Sequence, residues 1–183
     1  MTALLIIGGV IVLILLYAIS IYNGLTKLKI LFENAWADVD VVLKKRHDLI
    51  PNIINTVKGY AGHEKETLEK VIQARNQAVN AGSKTDKIQA ENALSSFLPS
   101  IFALAEAYPD LKANTNFLNL QNTLEKLENE LSQARRYYNA VIRDYNTKRE
   151  VFPGSIFAGM FNFEEAPFYE VEEAAKAVPK VEF

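Results

Sequence analysis

The chain has 183 residues, with 20 Lys and Arg against 22 Asp and Glu, and it contains no cysteine. The formal net charge of −2 argues against a nucleic-acid-binding domain, because such domains normally carry a basic surplus. The lack of cysteine excludes disulfides, thiolate metal sites and cysteine catalysis.

The chain opens with an uncharged and almost unbroken apolar segment, residues 3–22. A helix needs about 20 apolar residues to cross a bilayer core, so this length predicts a transmembrane helix that contacts the lipid bilayer. The alternative is a cleaved signal peptide, for which Ala18 and Ser20 supply small residues at a cleavage position. The length of the segment and the lack of basic residues before it favour the transmembrane helix. Lateral association into a homo-oligomer through Gly8 and Gly9 stays open.

The residues at the end of this segment predict its orientation. Tyr17 and Tyr22 lie where an interfacial aromatic belt is expected. Lys27 and Lys29 follow, and no basic residue precedes the segment. The positive-inside rule therefore predicts a single-pass protein of the inner (cell) membrane, with the N-terminus outside and the following domain in the cytoplasm.

Apolar residues spaced by three and four predict the helices of that domain. The pattern is regular over residues 25–49, 54–78 and 117–145, and looser over residues 88–108. The looser part predicts a shorter helix, which Pro99 either kinks or divides so that its better-formed half starts there. No stretch alternates as a strand does. The predicted fold is all-α: a transmembrane helix (residues 1–23), an antiparallel four-helix bundle with coiled-coil-like seams (24–150), and an aromatic, then acidic, C-terminal tail (151–183).

Pro51 leaves two interpretations open. Asp48 can cap a new helix whose first turn contains Pro51, so that the chain reverses at residues 48–51. This turn and the one at residues 108–116 would then meet at the membrane-distal end of the bundle. Alternatively, one long helix is only kinked at Pro51. With only a kink at Pro51, every later helix would run in the opposite direction relative to the membrane. The tail would then lie away from the membrane.

The tail begins with a Phe-rich strip, residues 152–163, which is too short to span a bilayer. If the strip returns to the membrane, its side chains can lie in the interface as a second anchor. The residues assigned to that role are Phe157, Phe161 and Phe163, with Tyr17 and Tyr22 from the first helix. The alternative is that the strip caps the apolar end of the bundle. The last twenty residues carry six acids against two lysines.

The sequence contains none of the common catalytic and metal-binding motifs. Neither His47 nor His63 follows a glutamate by three residues, as a di-iron bundle requires. The sequence "HEKET" at His63 lacks the second histidine of a zinc protease, and His63 with Glu66 would bind a metal only weakly. The sequence therefore predicts no catalytic residue, no metal and no cofactor.

Four sequence segments resemble the LemA family of bacterial membrane-anchored proteins. They are "ENAWADVDVVLKKRHDLIPNIINTVKGYAGHEKETLEKV", "LAEAYPDLKANTNFLNLQ", "ARRYYNAVIRDYNT" and "APFYEVEEAAKAVPKVEF". The resemblance implies an antiparallel four-helix bundle on a membrane anchor. It implies no established catalytic activity, because the biochemical role of the family is itself unclear.

Together these features predict a non-enzymatic membrane-anchored scaffold that binds a protein partner and no nucleic acid. Its binding surface is expected at the membrane-distal tip, formed by Arg46, His47, Asp48, Asn52, Asp110, Lys112 and Asn114. The simpler alternative is that Lys44 and Lys45 are solvated and Arg46 extends outwards from the helix seam. The rival class is an enzyme or enzyme subunit with a polar site in the bundle core around Glu64 and Arg75, which occupy seam positions.

Overall fold

A computed structural model describes residues 1–62 and 64–170 of the chain. Those residues form six helices: α1 Thr2–Lys58, α2 Lys65–Asn80, α3 Lys84–Ala107, α4 Pro109–Lys112, α5 Thr115–Glu150 and α6 Gly154–Met160. No strand occurs within them, so the predicted all-α class is confirmed. His63 and most of the predicted acidic tail, residues 171–183, lie outside the described residues.

The chain does not reverse at Pro51. Helix α1 continues through this residue to Lys58, so the predicted start of a new helix at residues 48–51 is wrong and the single long helix is confirmed. The apolar side chains on either side of the proline are almost fully buried: Ile50, Ile53, Ile54 and Val57. We infer that this burial outweighs the backbone hydrogen bond that Pro51 cannot make. The chain turns instead between Lys58, where α1 ends, and Lys65, where α2 begins.

The N-terminal part of α1 is the one helix in the described residues that is long and apolar enough to cross a membrane. The large apolar side chains between Leu4 and Ile19 are exposed along the whole segment. A soluble protein rarely exposes a continuous apolar surface of this extent. The segment is therefore consistent with membrane anchoring. It joins the rest of α1 without a break at residue 23.

The contacts divide the chain into two compact units. The first contains Met1–Val39 and Ala134–Phe168, so it consists of the N-terminal part of α1, the end of α5, and α6. Its α1 and α5 portions meet through aromatic pairs. The ring centroids of Phe32 and Tyr145 are 4.9 Å apart, and those of Trp36 and Tyr138 are 5.3 Å apart. Phe32, Tyr138 and Tyr145 belong to the predicted seams, whose apolar positions are mostly buried here, whereas Trp36 lies beside its seam.

The second unit contains Asp40–Gln133 and, from the end of the described residues, Tyr169 and Glu170. Its apolar core combines the end of α1 with α2, α3, α4 and the start of α5. Helix α3 begins after its N-cap Ser83, whose hydroxyl accepts a hydrogen bond of 3.0 Å from the Asp86 backbone N–H. Pro99 lies inside α3, which extends over 24 residues around the looser apolar pattern.

Candidate functional site

The residues predicted to form one binding surface occupy different environments. Arg46 and His47 are buried on α1, with 0% and 6% of their surface exposed. Asp48 and Asn52 are exposed on the same helix. At a rise of about 1.5 Å per residue, Arg46 lies roughly 18 Å along α1 from the turn that follows Lys58. It is therefore not part of that turn.

The remaining members of the predicted set belong to or adjoin the short helix α4. Asp110 and Lys112 are exposed, and Asn114 is half-buried. The Lys112 ammonium group forms an exposed ion pair of 2.5 Å with Glu106. Leu111, between them, is fully buried and fixes α4 to the core of the second unit.

Arg46 is the centre of a buried network of charged side chains. Its Nη1 donates hydrogen bonds to Glu128 Oε1 at 2.8 Å and to Ser95 Oγ at 2.9 Å. Its Nη2 is paired with Glu91 Oε2, and the other oxygen of Glu91 lies 2.6 Å from His47 Nε2. The network therefore joins α1, α3 and α5 within the second unit.

The pKa values in this network favour the ionised pair. Burial raises the pKa of Glu91, but the hydrogen bond from His47 and the charge of Arg46 lower it, and the net result is below the usual value. Burial lowers the pKa of Arg46, whereas Glu128 and Glu91 raise it, and the net direction is upwards. Both groups stay charged because each supplies the other with an opposite charge in place of the water that burial has removed.

Glu91 and Glu128 were not recognised from the sequence as partners of Arg46. The spacing did contain a clue for Glu91, which lies midway between the apolar residues Ile88 and Leu94 and so shares their helical face. An acid and a base that both occupy seam positions are expected to pair. No comparable clue marks Glu128 among the other charged residues of α5.

The described residues contain no group of three or more His, Asp or Glu that could hold a metal ion. The two residues of the rival enzyme site also have separate partners. Arg75 Nε donates to the His47 carbonyl oxygen at 3.2 Å, and Arg75 Nη1 donates to Asn76 Oδ1 at 3.2 Å. Glu64 Oε1 accepts a long hydrogen bond of 3.4 Å from the Tyr108 hydroxyl.

A polar cleft of about 260 Å³ lies beside the buried network. It is lined by Asp40, Lys44, His47, Asp48, Arg75, Val79 and Lys87. The Lys87 ammonium group is paired with Asp40. Since basic and acidic side chains are mixed here, the cleft has no clear preference for a ligand of either charge.

Two turns that are distant in sequence meet at one end of the second unit. Asn114 Nδ2 donates a hydrogen bond of 2.8 Å to the Tyr60 hydroxyl. The contact of Tyr108 with Glu64 joins the same two turns. We call this region the end surface: Tyr60, Glu64, Tyr108, Asp110, Lys112 and Asn114. It contains part of the predicted tip, together with two tyrosines that the prediction omitted.

The Phe-rich strip lies beside the end of the apolar segment. The Tyr22 ring packs edge-on against Phe161 and Phe163, with ring centroids 4.9 and 5.7 Å apart. Phe157 and Phe163 are half-buried against Ile21 and Leu25. A continuous helix at Pro51 was expected to take the strip away from the membrane. The structure instead places the strip beside the end of the apolar segment, within the same compact unit.

Side chains of α5 hold the residues that follow α6, a strap of residues 163–168. Arg149 Nε donates to the Phe163 carbonyl at 2.9 Å, and the Tyr145 hydroxyl donates to the Glu164 carbonyl at 2.8 Å. Asn146 makes two hydrogen bonds of 3.0 Å with the Ala166 backbone. The Tyr138 hydroxyl donates to the Pro167 carbonyl at 3.0 Å.

The strap joins two separate sequence segments of the chain. "ARRYYNAVIRDYNT" supplies the donors from α5, and the start of "APFYEVEEAAKAVPKVEF" supplies backbone acceptors. The Tyr138 hydroxyl is protonated at neutral pH, and burial, which raises its pKa to about 12, moves its titration further above that range.

The fold and the exposed apolar segment define a class: all-α proteins in which one N-terminal helix, suited to a membrane, continues into a helical domain. The chain belongs to the LemA family, whose model matches residues 35–183. It is similar to Protein LemA of Metamycoplasma hominis, with 25% identity over 142 residues. The matched region covers 77% of this chain and 65% of that relative, so the chain spans slightly less than two thirds of its length.

Proposed function

We propose that this LemA-type protein is a non-enzymatic, membrane-anchored scaffold that binds a protein partner through its end surface. The observation that carries the proposal is the hydrogen bond between Asn114 and Tyr60, which joins two turns into one composite surface. Such a surface exists only in the folded domain. It would therefore present a partner with a fixed arrangement of groups from both turns.

The chemistry of the end surface supports protein binding. Tyr60 is 42% exposed, and tyrosine is among the residues that most often dominate protein–protein binding energy. Asp110 and Lys112 add one exposed charge of each sign. Charges of this kind select a partner and its orientation more than they add affinity. Arg46 and His47 support the domain from inside and leave partner contact to the exposed residues.

Membrane attachment is assigned to residues 3–22 of α1. In this proposal the N-terminus lies outside the inner membrane and the domain in the cytoplasm, because Lys27 and Lys29 follow the apolar segment. Helix α1 leads without interruption from that segment to Lys58, the residue before the first turn of the end surface.

Crosslinking and pull-down from native membranes tests the binding surface. We expect Asp110→Lys and Tyr60→Ala to lose the crosslinked partner that the unchanged protein captures. Asp38→Lys is the matched control, because Asp38 is also an exposed aspartate but lies in the first unit. Capture of the same partner by all three variants would contradict the assignment of the end surface.

The non-enzymatic part of the proposal has its own test. The purified full chain is analysed for metal content and for an absorption spectrum beyond that of its aromatic residues. Stoichiometric metal or a bound chromophore would favour an enzyme or enzyme subunit over a scaffold.

A further inference from the structure

The apolar residues around α6 divide into an inner side and an outer side. Gly154 and Ala158 are buried, and Phe157 is half-buried. The outer residues are Phe152, Ile156, Met160 and Phe161, with exposed fractions of 77%, 53%, 65% and 50%. Ile156 and Met160 are four residues apart and so share one helical face. We call these four exposed apolar residues the outer face.

The inner side fixes where this outer face lies. Ala158 packs in one cluster with Ile21 and Leu25, at the point where the apolar segment of α1 ends. The contact of Tyr22 with Phe161 connects the outer face to the same turn of α1. Phe161 of the outer face therefore lies against Tyr22, which is itself 40% exposed at the end of the apolar segment.

The end of α6 is closed by a hydrogen-bonded cap. Asn162 has a positive φ of 54°, and the Phe163 backbone N–H donates to the Ala158 carbonyl at 2.9 Å. This is the six-to-one bond of a Schellman motif, in which asparagine is accepted at the left-handed position. Phe163 packs against the cluster that contains Ala158, and an apolar contact of this kind commonly accompanies the motif. The cap and the hydrogen bond from Arg149 hold the strip beside α1.

The start of α6 packs closely against the end of α5. A Cβ atom at Gly154 would collide with the Lys148 carbonyl oxygen, so only glycine permits this approach. With both of its ends fixed, α6 presents its outer face in one direction.

We propose that the outer face lies in the membrane interface and forms a second, non-spanning attachment beside the transmembrane helix. The proposal rests on the membrane anchoring included in the proposed function. It revises the set expected from the sequence, since Phe157 and Phe163 face the protein, whereas Phe152, Ile156 and Met160 face outwards with Phe161. Both alternatives considered for the strip then apply to it. Its inner side covers the apolar residues of α1, and its outer face contacts lipid.

The ligand of the outer face is the apolar part of the lipid interface, and no particular headgroup is required. Charges of both signs occur nearby: Lys148 lies against Gly24, and Arg149 is within 3.6 Å of Glu150 and 4.0 Å of Glu165. Attachment should therefore occur on phosphatidylcholine vesicles that carry no net charge.

The test uses the full chain, into which single cysteines can be introduced because it has none. A fluorophore is attached in separate variants at Ile156→Cys, Met160→Cys and Leu13→Cys, and at the exposed control position Lys126→Cys. Each protein is reconstituted in phosphatidylcholine vesicles that contain lipids with brominated acyl chains as quenchers. Circular dichroism checks that every labelled variant keeps its helical content.

Quenching at positions 156 and 160 that is several-fold above that at 126 is the expected result. Quenching at 13 without quenching at 156 and 160 would overturn the second attachment and leave the transmembrane helix in place. A lack of quenching at 13 would overturn both the transmembrane helix and the inference that rests on it. Equal quenching at 126 and 156 would likewise overturn the inference, because the interface would not distinguish the outer face from an ordinary exposed site.

Discussion

At the level of single residues, Arg46 differs from the two lysines that precede it in its exposure to water. Lys44 and Lys45 precede it in the chain and are exposed, while Arg46 itself has no exposed surface. Removing a guanidinium group from water is costly unless hydrogen bonds and opposite charges replace the water. Glu91, Glu128 and Ser95 supply that replacement. A row of three basic residues therefore contains two solvated charges and one that belongs to the core.

Arg46→Met is expected to destabilise the protein strongly. It removes the positive partner of the buried Glu91 carboxylate, and breaking a buried ion pair in this way costs about 3–5 kcal/mol. Thermal unfolding of the detergent-solubilised protein, followed by circular dichroism, measures the effect. Lys45→Met is the control, because the exposed pair of Lys45 with Glu130 should contribute about 1 kcal/mol or less. Equal destabilisation by both variants would mean that burial of Arg46 is not what matters.

The lowered pKa of Glu91 predicts acid sensitivity. In the unfolded chain this carboxyl titrates near its usual value of about 4.3, and in the folded protein it titrates lower. The stability that it contributes is therefore complete above about pH 4.3 and is lost as the pH falls through the folded pKa.

The measurement is the free energy of unfolding as a function of pH between neutral and acidic conditions. Glu91→Gln should be less stable at neutral pH and should show a shallower decline in acid than the unchanged protein. Glu66→Gln is the comparison, since the pKa of Glu66 is also lowered, by its hydrogen bond with Lys70, but this pair is exposed. If Glu91→Gln lost stability in acid as steeply as the unchanged protein, Glu91 would be excluded as the source of the acid sensitivity.

Among the elements, α6 depends on a close approach that only glycine allows. Gly154→Ala should shift the start of α6 away from the Lys148 carbonyl and destabilise the first unit by about 1–3 kcal/mol, as overpacking usually does. The fluorescence of Trp36, which is the one tryptophan of the chain and belongs to the first unit, reports on its unfolding.

Gly159→Ala provides a control within the same helix. A Cβ atom there would meet nothing within 4 Å, and alanine favours a helix more than glycine does. This variant should be as stable as the unchanged protein or slightly more stable. Loss of stability in Gly159→Ala, with none in Gly154→Ala, would reverse the assignment of the two glycines.

Helix α1 should be strengthened by Pro51→Ala. The proline side chain is exposed, and inside a helix proline is less favourable than alanine by up to about 3 kcal/mol. We expect a higher midpoint of thermal unfolding, and the matched variant Asn52→Ala should change it much less. A lower midpoint for Pro51→Ala would mean that the local geometry at the proline stabilises the fold.

At the scale of the whole molecule, α1 and α5 each contribute residues to both compact units. In the first unit, α1 supplies the apolar segment and the surface on which α6 packs. In the second unit, its residues include Arg46 and the apolar cluster around Pro51. A single helix thus takes part both in the proposed membrane attachment and in the core of the domain that carries the end surface.

The sequence predicted the helices well and the environment of its polar residues less well. The apolar spacing placed the long helices, and most of those positions, such as Val39 and Leu131, are buried. Local spacing leaves both interpretations of Pro51 open, and the burial of its apolar neighbours in the folded chain decides for the continuous helix. Arg46 was assigned to a surface because a basic run usually marks one, and its acidic partners lie 45 and 82 residues further along the chain.

By itself, the sequence determined the all-α class, the apolar segment and membership of the LemA family, because each depends on residue type and short-range spacing. The tertiary structure decided which side chains are buried and which stay exposed to water. It buried Arg46, joined Tyr60 to Asn114, and turned one side of α6 towards α1. These outcomes depend on contacts between residues far apart in the chain. Local spacing does not specify such contacts, since burial is a property of the packed whole.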